Sequence, residues 1–69
     1  MQMNIKILVG NRIRSIRKKS KISQEALAFE SGLDRTYICS VENGHRNISI
    51  VNIEKISKAL NCSIKELFE

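Results

Sequence analysis

The chain has 69 residues and a formal net charge of +5, a length that allows one domain and leaves no room for a second. A domain this short buries only about 60% of the surface of its unfolded chain, so a disulfide, a metal or a partner subunit usually supplements the core. Cys39 and Cys62 form no CxxC pair and His45 has no companion ligands, so the composition disfavours a metal site and a secreted disulfide scaffold and favours self-association.

The positive charge is concentrated in the first two thirds of the chain. Residues 1–46 carry nine Lys or Arg and four acidic residues, whereas residues 47–69 carry three of each. An asymmetric basic surface indicates a polyanionic partner, although a solvated, solubilising face would give the same counts.

The sequence shows no sign of export or catalysis. No apolar run approaches the roughly 18 to 20 residues of a membrane span, and residues 1–10 are too short and too weakly charged for a secretion signal. We therefore expect a cytoplasmic protein without membrane contact. There is no Gly-rich phosphate loop, metal-ligand cluster or nucleophile–base pairing, so we expect neither an enzyme nor a bound cofactor or metal.

Apolar residues recur at helical spacing almost throughout, without strand-like alternation and without proline. The first predicted helix runs from about Asn4 to Lys19. Its predicted apolar face consists of Ile5, Val9, Ile13 and Ile16. Ser23 is predicted to cap a second helix that ends near Ser31, because Gly32 tolerates the positive φ of a tight turn.

Three further helices follow in the prediction. Asp34 caps a third helix that ends before Gly44, and Ser49 caps a fourth. The predicted inner face of the fourth helix consists of Ile50, Ile53, Ile56 and Leu60. A capping-box pattern over residues 63–66 opens a last short helix that runs to Phe68. Five short helices joined by short loops predict a single compact all-α domain over residues 1–69.

Residues 24–43 have the spacing of a helix-turn-helix. A short turn containing glycine favours two helices that cross at a steep angle. Ala28 is predicted to lie where the two helices approach most closely, with Ile38 and Val41 packing six and nine positions after Gly32. Two packed helices without a DNA role would share this spacing, so the character of the exposed face decides between the alternatives.

The third helix is predicted to expose a polar face. At 100° per residue Ile38 and Val41 define its buried side, and Thr36 and Asn43 point most directly away from it. Such a face suits the hydrogen-bonding base edges of the DNA major groove. Arg35 is the best single candidate, since its guanidinium can bond guanine O6 and N7 together, with a phosphate contact as the alternative. The predicted base-reading residues are Arg35, Thr36, Tyr37, Cys39, Ser40 and Asn43.

The predicted phosphate contacts surround this helix. They are Arg17, Ser23, Gln24, Arg46 and Asn47. Gln24 lies at the start of the second helix, where the side chain and the helix dipole could both meet a phosphate. For Arg17 an ion pair with Glu42 is the preferred alternative to a DNA contact.

Residues 48–68 carry more apolar side chains than a core this small can cover. We therefore predict a two-fold homodimer interface along the last two helices. The candidate interface residues are Ile48, Val51, Lys55, Ile64 and Phe68. Phe29, on the outer side of the second helix, has no predicted role.

A family resemblance adds to this interpretation. The lambda-repressor-like Xre family is similar in the runs Ser23-Gln24-Glu25, Leu27-Ala28, Ser31-Gly32-Leu33, Tyr37-Ile38 and Val41-Glu42-Asn43-Gly44. The resemblance extends over nearly the whole chain and implies a five-helix lambda-repressor-like domain. Within that family, residues 32–38 followed by residues 46–49 resemble the controller proteins of restriction–modification systems.

The controller resemblance implies a function. Such dimers bind repeated palindromic sites before their own gene and the endonuclease gene, activating at low and repressing at high concentration, which makes RNA polymerase a candidate partner. The inherited DNA-contacting roles fall on Arg35, Thr36, Tyr37, Arg46 and Asn47. Cys39-Ser40 departs from the usual small residues, which leaves the operator sequence open. Phage-type repressors and antitoxins share the scaffold, but an antitoxin usually carries an additional toxin-wrapping segment, which is not expected here.

Overall fold

The computed structural model describes residues 4–69. Within this range the elements are α1 (Ile5–Lys19), α2 (Gln24–Ser31), α3 (Arg35–Glu42), α4 (Ile50–Ala59) and a 3-10 helix (Lys65–Phe68). The predicted all-α class is confirmed over these residues. The prediction of a single domain over residues 1–69 includes residues 1–3, which lie outside the described range.

The predicted fifth α-helix is wrong, because its residues form a 3-10 helix. The capping box itself is present: Ser63 N–H donates to Glu66 Oε2 at 2.9 Å, and Glu66 N–H donates to Ser63 Oγ at 3.3 Å. The backbone of Leu67 bonds the carbonyl of Ile64, three residues earlier, at 3.0 Å. A segment of four residues is too short to build successive α-turns, and the tighter 3-10 turn satisfies its backbone instead.

Local side-chain bonds explain where most helices begin. Asn4, Ser23 and Ser49 cap α1, α2 and α4, each accepting a backbone N–H hydrogen bond at 2.9 to 3.1 Å. The predicted caps at Ser23 and Ser49 are therefore confirmed. Asp34 occupies the N-cap position of α3, but its side chain makes no capping hydrogen bond.

A left-handed residue follows each of the four α-helices, and at two of them it is a glycine. Gly32 has φ +73° at the end of α2, where the backbone of Leu33 donates to the carbonyl of Ala28 at 3.0 Å. Gly44 has φ +76° just after α3, and a Cβ there would lie 2.8 Å from a side-chain carbon of Ile7. Both predicted glycine turns are confirmed.

The core is built from every element. Its buried apolar residues are Val9, Ile13, Leu27, Ala28, Ile38, Val41, Ile53, Ile56, Leu60 and Leu67. Two residues assigned to apolar inner faces are exposed instead: Ile5 is 55% and Ile50 is 81% accessible to solvent. Both lie in the first turn of their helix, where the helical face continues beyond the edge of the core.

Helix α1 approaches the end of α3 closely at Gly10. A Cβ at this position would lie 2.3 Å from the carbonyl oxygen of Val41 and 3.0 Å from that of Glu42. Only a residue without a side chain allows this contact, which seats the end of α3 directly on α1. Ala28 is buried as expected, but no feature of the sequence indicated the contact at Gly10.

None of the helices over residues 4–69 is both long and apolar enough to cross a membrane.

Candidate nucleic-acid interface

The third helix has one buried and one exposed side. Ile38, Val41 and Glu42 are buried against the rest of the domain. The exposed side carries Arg35, Thr36 and Cys39, with Asn43 immediately after the last turn. The prediction that Thr36 and Asn43 point outward is confirmed. The helix therefore presents hydrogen-bonding groups to solvent, while its opposite side is packed into the domain.

One shallow depression brings together five of the eleven predicted DNA-contacting residues. It is lined by Gln24, Arg35, Thr36, Cys39 and Ser40. The start of α2 thus lies beside the exposed side of α3, with a predicted phosphate contact next to four of the predicted base-reading residues. A duplex held against α3 would meet both elements.

The predicted phosphate contact of Arg17 is wrong, because its side chain is buried and bonded within the domain. It is 9% exposed, and its Nε and Nη2 donate to Glu42 Oε2 and Oε1 at 2.6 and 3.0 Å. Its Nη1 donates to the carbonyl of Ile22 at 2.9 Å. The structure therefore shows the preferred alternative, the ion pair of Arg17 with Glu42, in place of the phosphate contact.

Glu42 is the centre of a polar cluster at the junction of α1, α2 and α3. Burial alone raises the pKa of the Glu42 carboxyl, but hydrogen bonds from Arg17 and Gln24 and the charge of Arg17 outweigh that effect and hold the pKa below its usual value. Arg14 Nε lies 3.5 Å from Glu42 Oε1. The ionised carboxylate therefore fixes three side chains from two other helices.

The Gln24 side chain is partly committed to this cluster. Its Nε2 donates to Glu42 Oε1 at 3.0 Å, and the residue is half-buried. This bond orients the amide at the N-terminus of α2. Ser23 is exposed and its hydroxyl accepts the N–H of Ala26, so both residues lie at the helix start where the predicted phosphate would bind.

Tyr37 links α3 to the turn and to α4. Its hydroxyl accepts a hydrogen bond from Asn52 Nδ2 at 3.1 Å, and the guanidinium carbon of Arg46 lies 5.0 Å from its ring centroid. Tyr37 is half-buried, whereas Arg46 is exposed. Because Asn52 holds the hydroxyl end of the Tyr37 ring, stacking on this ring restricts the Arg46 guanidinium to a small region beside α3.

Sequence reasoning missed Arg14 as a member of this surface. Arg14 Nη2 donates to Asn43 Oδ1 at 2.7 Å, which joins α1 to the end of α3. The available signal was its position three residues before Arg17, which places both arginines on one side of α1. The pairing with Asn43 depends on how the helices pack and could not be read from that spacing.

A second exposed surface is apolar. Val51, Ile64 and Phe68, which are predicted interface residues, are 60%, 41% and 41% exposed, and Lys55 is exposed as well. Ile48 is half-buried and packs on the core. A groove lined by Ile5, Lys6, Val9, Asn47, Ile48, Ile53 and Phe68 extends this surface to the start of α1.

The apolar surface also includes residues that were assigned other roles, and the phosphate role of Asn47, which is exposed, stays a prediction. Asn47, a predicted phosphate contact, lines the apolar groove, and Ile5 and Ile50 add exposed apolar area that was assigned to the core. Phe29 is 85% exposed on α2.

Comparison with known proteins identifies the family. A family described as Helix-turn-helix matches residues 13–67. The control protein C.BamHI of Bacillus amyloliquefaciens is 54% identical over the whole of this chain and 86% of its own length. The solved structure of the restriction-modification controller protein C.AhdI from Aeromonas hydrophila is 49% identical, covering 91% of this chain and 96% of that chain, with a TM-score of 0.90.

A third relative is solved on DNA. The controller protein C.Esp1396I, described as a tetramer in complex with its natural 35 base-pair operator, is 36% identical over 99% of this chain and 100% of that chain, with a TM-score of 0.84. These matches cover nearly all of the chain and nearly all of the relatives. The chain therefore belongs to the helix-turn-helix family and, within it, to the controller proteins of restriction–modification systems.

Proposed function

We propose that this chain is a homodimeric, cytoplasmic transcriptional regulator that inserts α3 of each subunit into the major groove of a pseudo-palindromic operator. The observation that carries the proposal is the exposed polar side of α3, which stands on a buried apolar and ion-paired base. The operators lie upstream of its own gene and of the endonuclease gene of a restriction–modification system. Binding activates transcription at low concentration and represses it at high concentration.

Arg35 is the principal base-reading residue in this proposal. It is exposed in the first turn of α3, beside the depression shared with Gln24 and Thr36. A guanidinium presents a planar fork of donors that matches guanine O6 and N7, the commonest specific contact in the major groove. Thr36 and Cys39 lie on the same side of the helix and would face the neighbouring base edges.

The phosphate backbone is met on both sides of α3. Ser23 and Gln24 stand at the N-terminus of α2, where the helix dipole favours an anion. Arg46, stacked on Tyr37, lies beyond the other end of α3. Contacts of this kind fix the position of the protein on the duplex, while the side chains of α3 read the sequence.

The homodimer uses the apolar surface of α4 and the 3-10 helix. Its exposed residues Val51, Ile64 and Phe68 would be covered by the same residues of a second copy in a two-fold arrangement. Insertion into successive major grooves requires the two α3 helices of this dimer to lie about 34 Å apart.

Activation adds RNA polymerase as a partner when the dimer is bound to its promoter. C.Esp1396I, which binds its operator as a tetramer, supports regulation by more than one dimer on a single DNA.

Binding to the DNA upstream of its own gene tests the proposal. Footprinting should show a protected pseudo-palindrome, and the log–log dependence of affinity on salt should have a slope of about −5 to −9 for a dimer that neutralises roughly 6 to 10 phosphates. A flat salt response, or a stoichiometric protein partner that co-purifies in place of DNA binding, would contradict it.

A further inference from the structure

Arg14 connects α1 to the residue at which α3 ends. Its Nη2 donates to Asn43 Oδ1 at 2.7 Å, while its Nε lies 3.5 Å from Glu42 Oε1. Its side chain is 38% exposed, compared with 10% for Arg17, which binds the other side of the same carboxylate. Arg14 therefore reaches from the buried cluster to the surface that contains Asn43.

This contact fixes the direction of the Asn43 amide. A guanidinium carries only donors, so the Asn43 atom that it contacts must be the carbonyl oxygen. The amide nitrogen then lies on the other side, where Nδ2 is 3.6 Å from Cys39 Sγ, a weak acceptor. Asn43 is exposed, so its N–H donors are presented along the outward side of α3.

The charge at this corner favours an anionic or acceptor-rich partner. Two arginines face the single carboxylate of Glu42, so the cluster of Arg14, Arg17 and Glu42 has a net positive charge. Arg17 is buried with its bidentate bond, which leaves the excess charge on the more exposed Arg14. The C-terminus of α3 would otherwise present the negative end of its dipole to DNA, and Arg14 offsets that charge.

We propose that Arg14 is a positioning residue of the DNA interface, which holds Asn43 so that its amide donates to an acceptor atom of the duplex. A free asparagine bonds adenine through both its oxygen and its nitrogen. With Oδ1 engaged by Arg14, Asn43 offers its donors to an acceptor, either a phosphate oxygen or a base-edge acceptor such as guanine O6 or N7. This inference rests on the proposed insertion of α3 into DNA.

A double-mutant cycle on DNA affinity tests it. The probe is a duplex selected from a random pool by the wild-type protein, with a scrambled duplex of the same composition as the comparison. We expect Arg14→Met and Asn43→Ala each to weaken binding, and the double variant to bind about 3- to 30-fold tighter than the product of the two single effects predicts. Additive effects would overturn the proposal.

Lys18→Met is the matched control, because it removes an equal charge from an exposed position of α1. Combined with Asn43→Ala it should be additive within about twofold. Arg14→Lys keeps the charge but lacks the fork that reaches Glu42 and Asn43 together. If Arg14→Lys restores wild-type affinity, Arg14 acts as a charge alone and the positioning role is wrong.

Thermal unfolding of each variant separates an effect on folding from an effect on binding. Should Arg14→Met fail to fold, the cycle is measured with Arg14→Lys and Asn43→Ala, for which coupling is still expected. Equal loss on the selected and scrambled duplexes from Asn43→Ala identifies a phosphate oxygen, and loss on the selected duplex alone identifies a base edge. If the wild-type protein binds the selected duplex and the cycle is additive, only this inference is refuted. If the wild-type protein binds no duplex, the proposed function is refuted as well.

Discussion

The two sides of α3 are made from the same eight residues, Arg35–Glu42, yet they are used in opposite ways. The inner side is apolar except for Glu42, whose carboxylate pairs with Arg17 and Arg14. The outer side is polar and largely free of contacts with the core, with Arg35 and Thr36 in solvent. If the proposed function holds, stability and DNA recognition are separated on one helix. Substitutions on the inner side should then lower the free energy of unfolding, and substitutions on the outer side should lower DNA affinity.

The largest effect should come from removing the charge on the inner side. Glu42→Ala leaves the buried Arg17 guanidinium without its carboxylate, which typically costs about 3–5 kcal/mol, a large part of the stability of a domain this size. Urea unfolding measures the loss. Glu54→Ala, which removes an exposed ion pair with Lys58 at 3.9 Å, is the control and should cost less than about 1 kcal/mol. Equal losses for the two variants would break the comparison.

On the outer side, Arg35→Ala should weaken operator binding by about 1–3 kcal/mol and relax preference at one base position. Its free energy of unfolding should stay within about 0.5 kcal/mol of wild type, because the side chain is exposed. Fluorescence anisotropy on selected and scrambled duplexes measures both effects on DNA. If binding to the scrambled duplex weakens equally, Arg35 contacts phosphate and the base-reading assignment fails.

A third variant tests whether α4, like α3, uses one side for stability and its exposed side for binding a partner. Val51→Lys places a charge on the exposed apolar surface and should weaken the homodimer by roughly tenfold, about 1.4 kcal/mol, with little change in the folded monomer. Sedimentation equilibrium gives the dissociation constant. Ser15→Lys, at an exposed position of α1, is the control. A dimer unaffected by Val51→Lys would place the interface elsewhere.

The smallest effect concerns acid. The pKa of Glu42 is lowered in the folded state, so this carboxylate contributes stability above its unfolded pKa of about 4.3 and loses that contribution as the pH falls through the lower folded value. Stability measured by thermal unfolding should therefore decline below about pH 4. Glu42→Gln should show a shallower decline over that window, and an unchanged profile would show that Glu42 is not responsible.

Signals that act within a few residues were readable from the sequence. The serine caps at Ser23 and Ser49 and the glycine turn at Gly32 each depend on atoms of neighbouring residues, and all three are present. The outward direction of Thr36 followed from helical spacing alone. These features were sufficient to predict the class of fold and the exposed polar side of α3.

Features that depend on where a neighbouring helix ends could not be obtained in this way. Periodicity marks the face of a helix, but it does not show that Ile5 and Ile50 extend beyond the core. It also does not show which of two alternatives Arg17 takes, or that Arg14 reaches Asn43 across 29 positions of the chain. The last helix failed for a different reason, since its capping box was correct but its length allowed only a 3-10 turn.

The contact at Gly10 has a consequence for how this protein could change its target. There α1 touches the main-chain carbonyls of Val41 and Glu42, atoms that every amino acid possesses. A contact with the peptide backbone does not depend on which side chains α3 presents to solvent. Residues such as Thr36 and Cys39 could therefore all be substituted while α3 keeps its position on α1. This makes the domain suited to acquiring new operator sequences by evolution or by design.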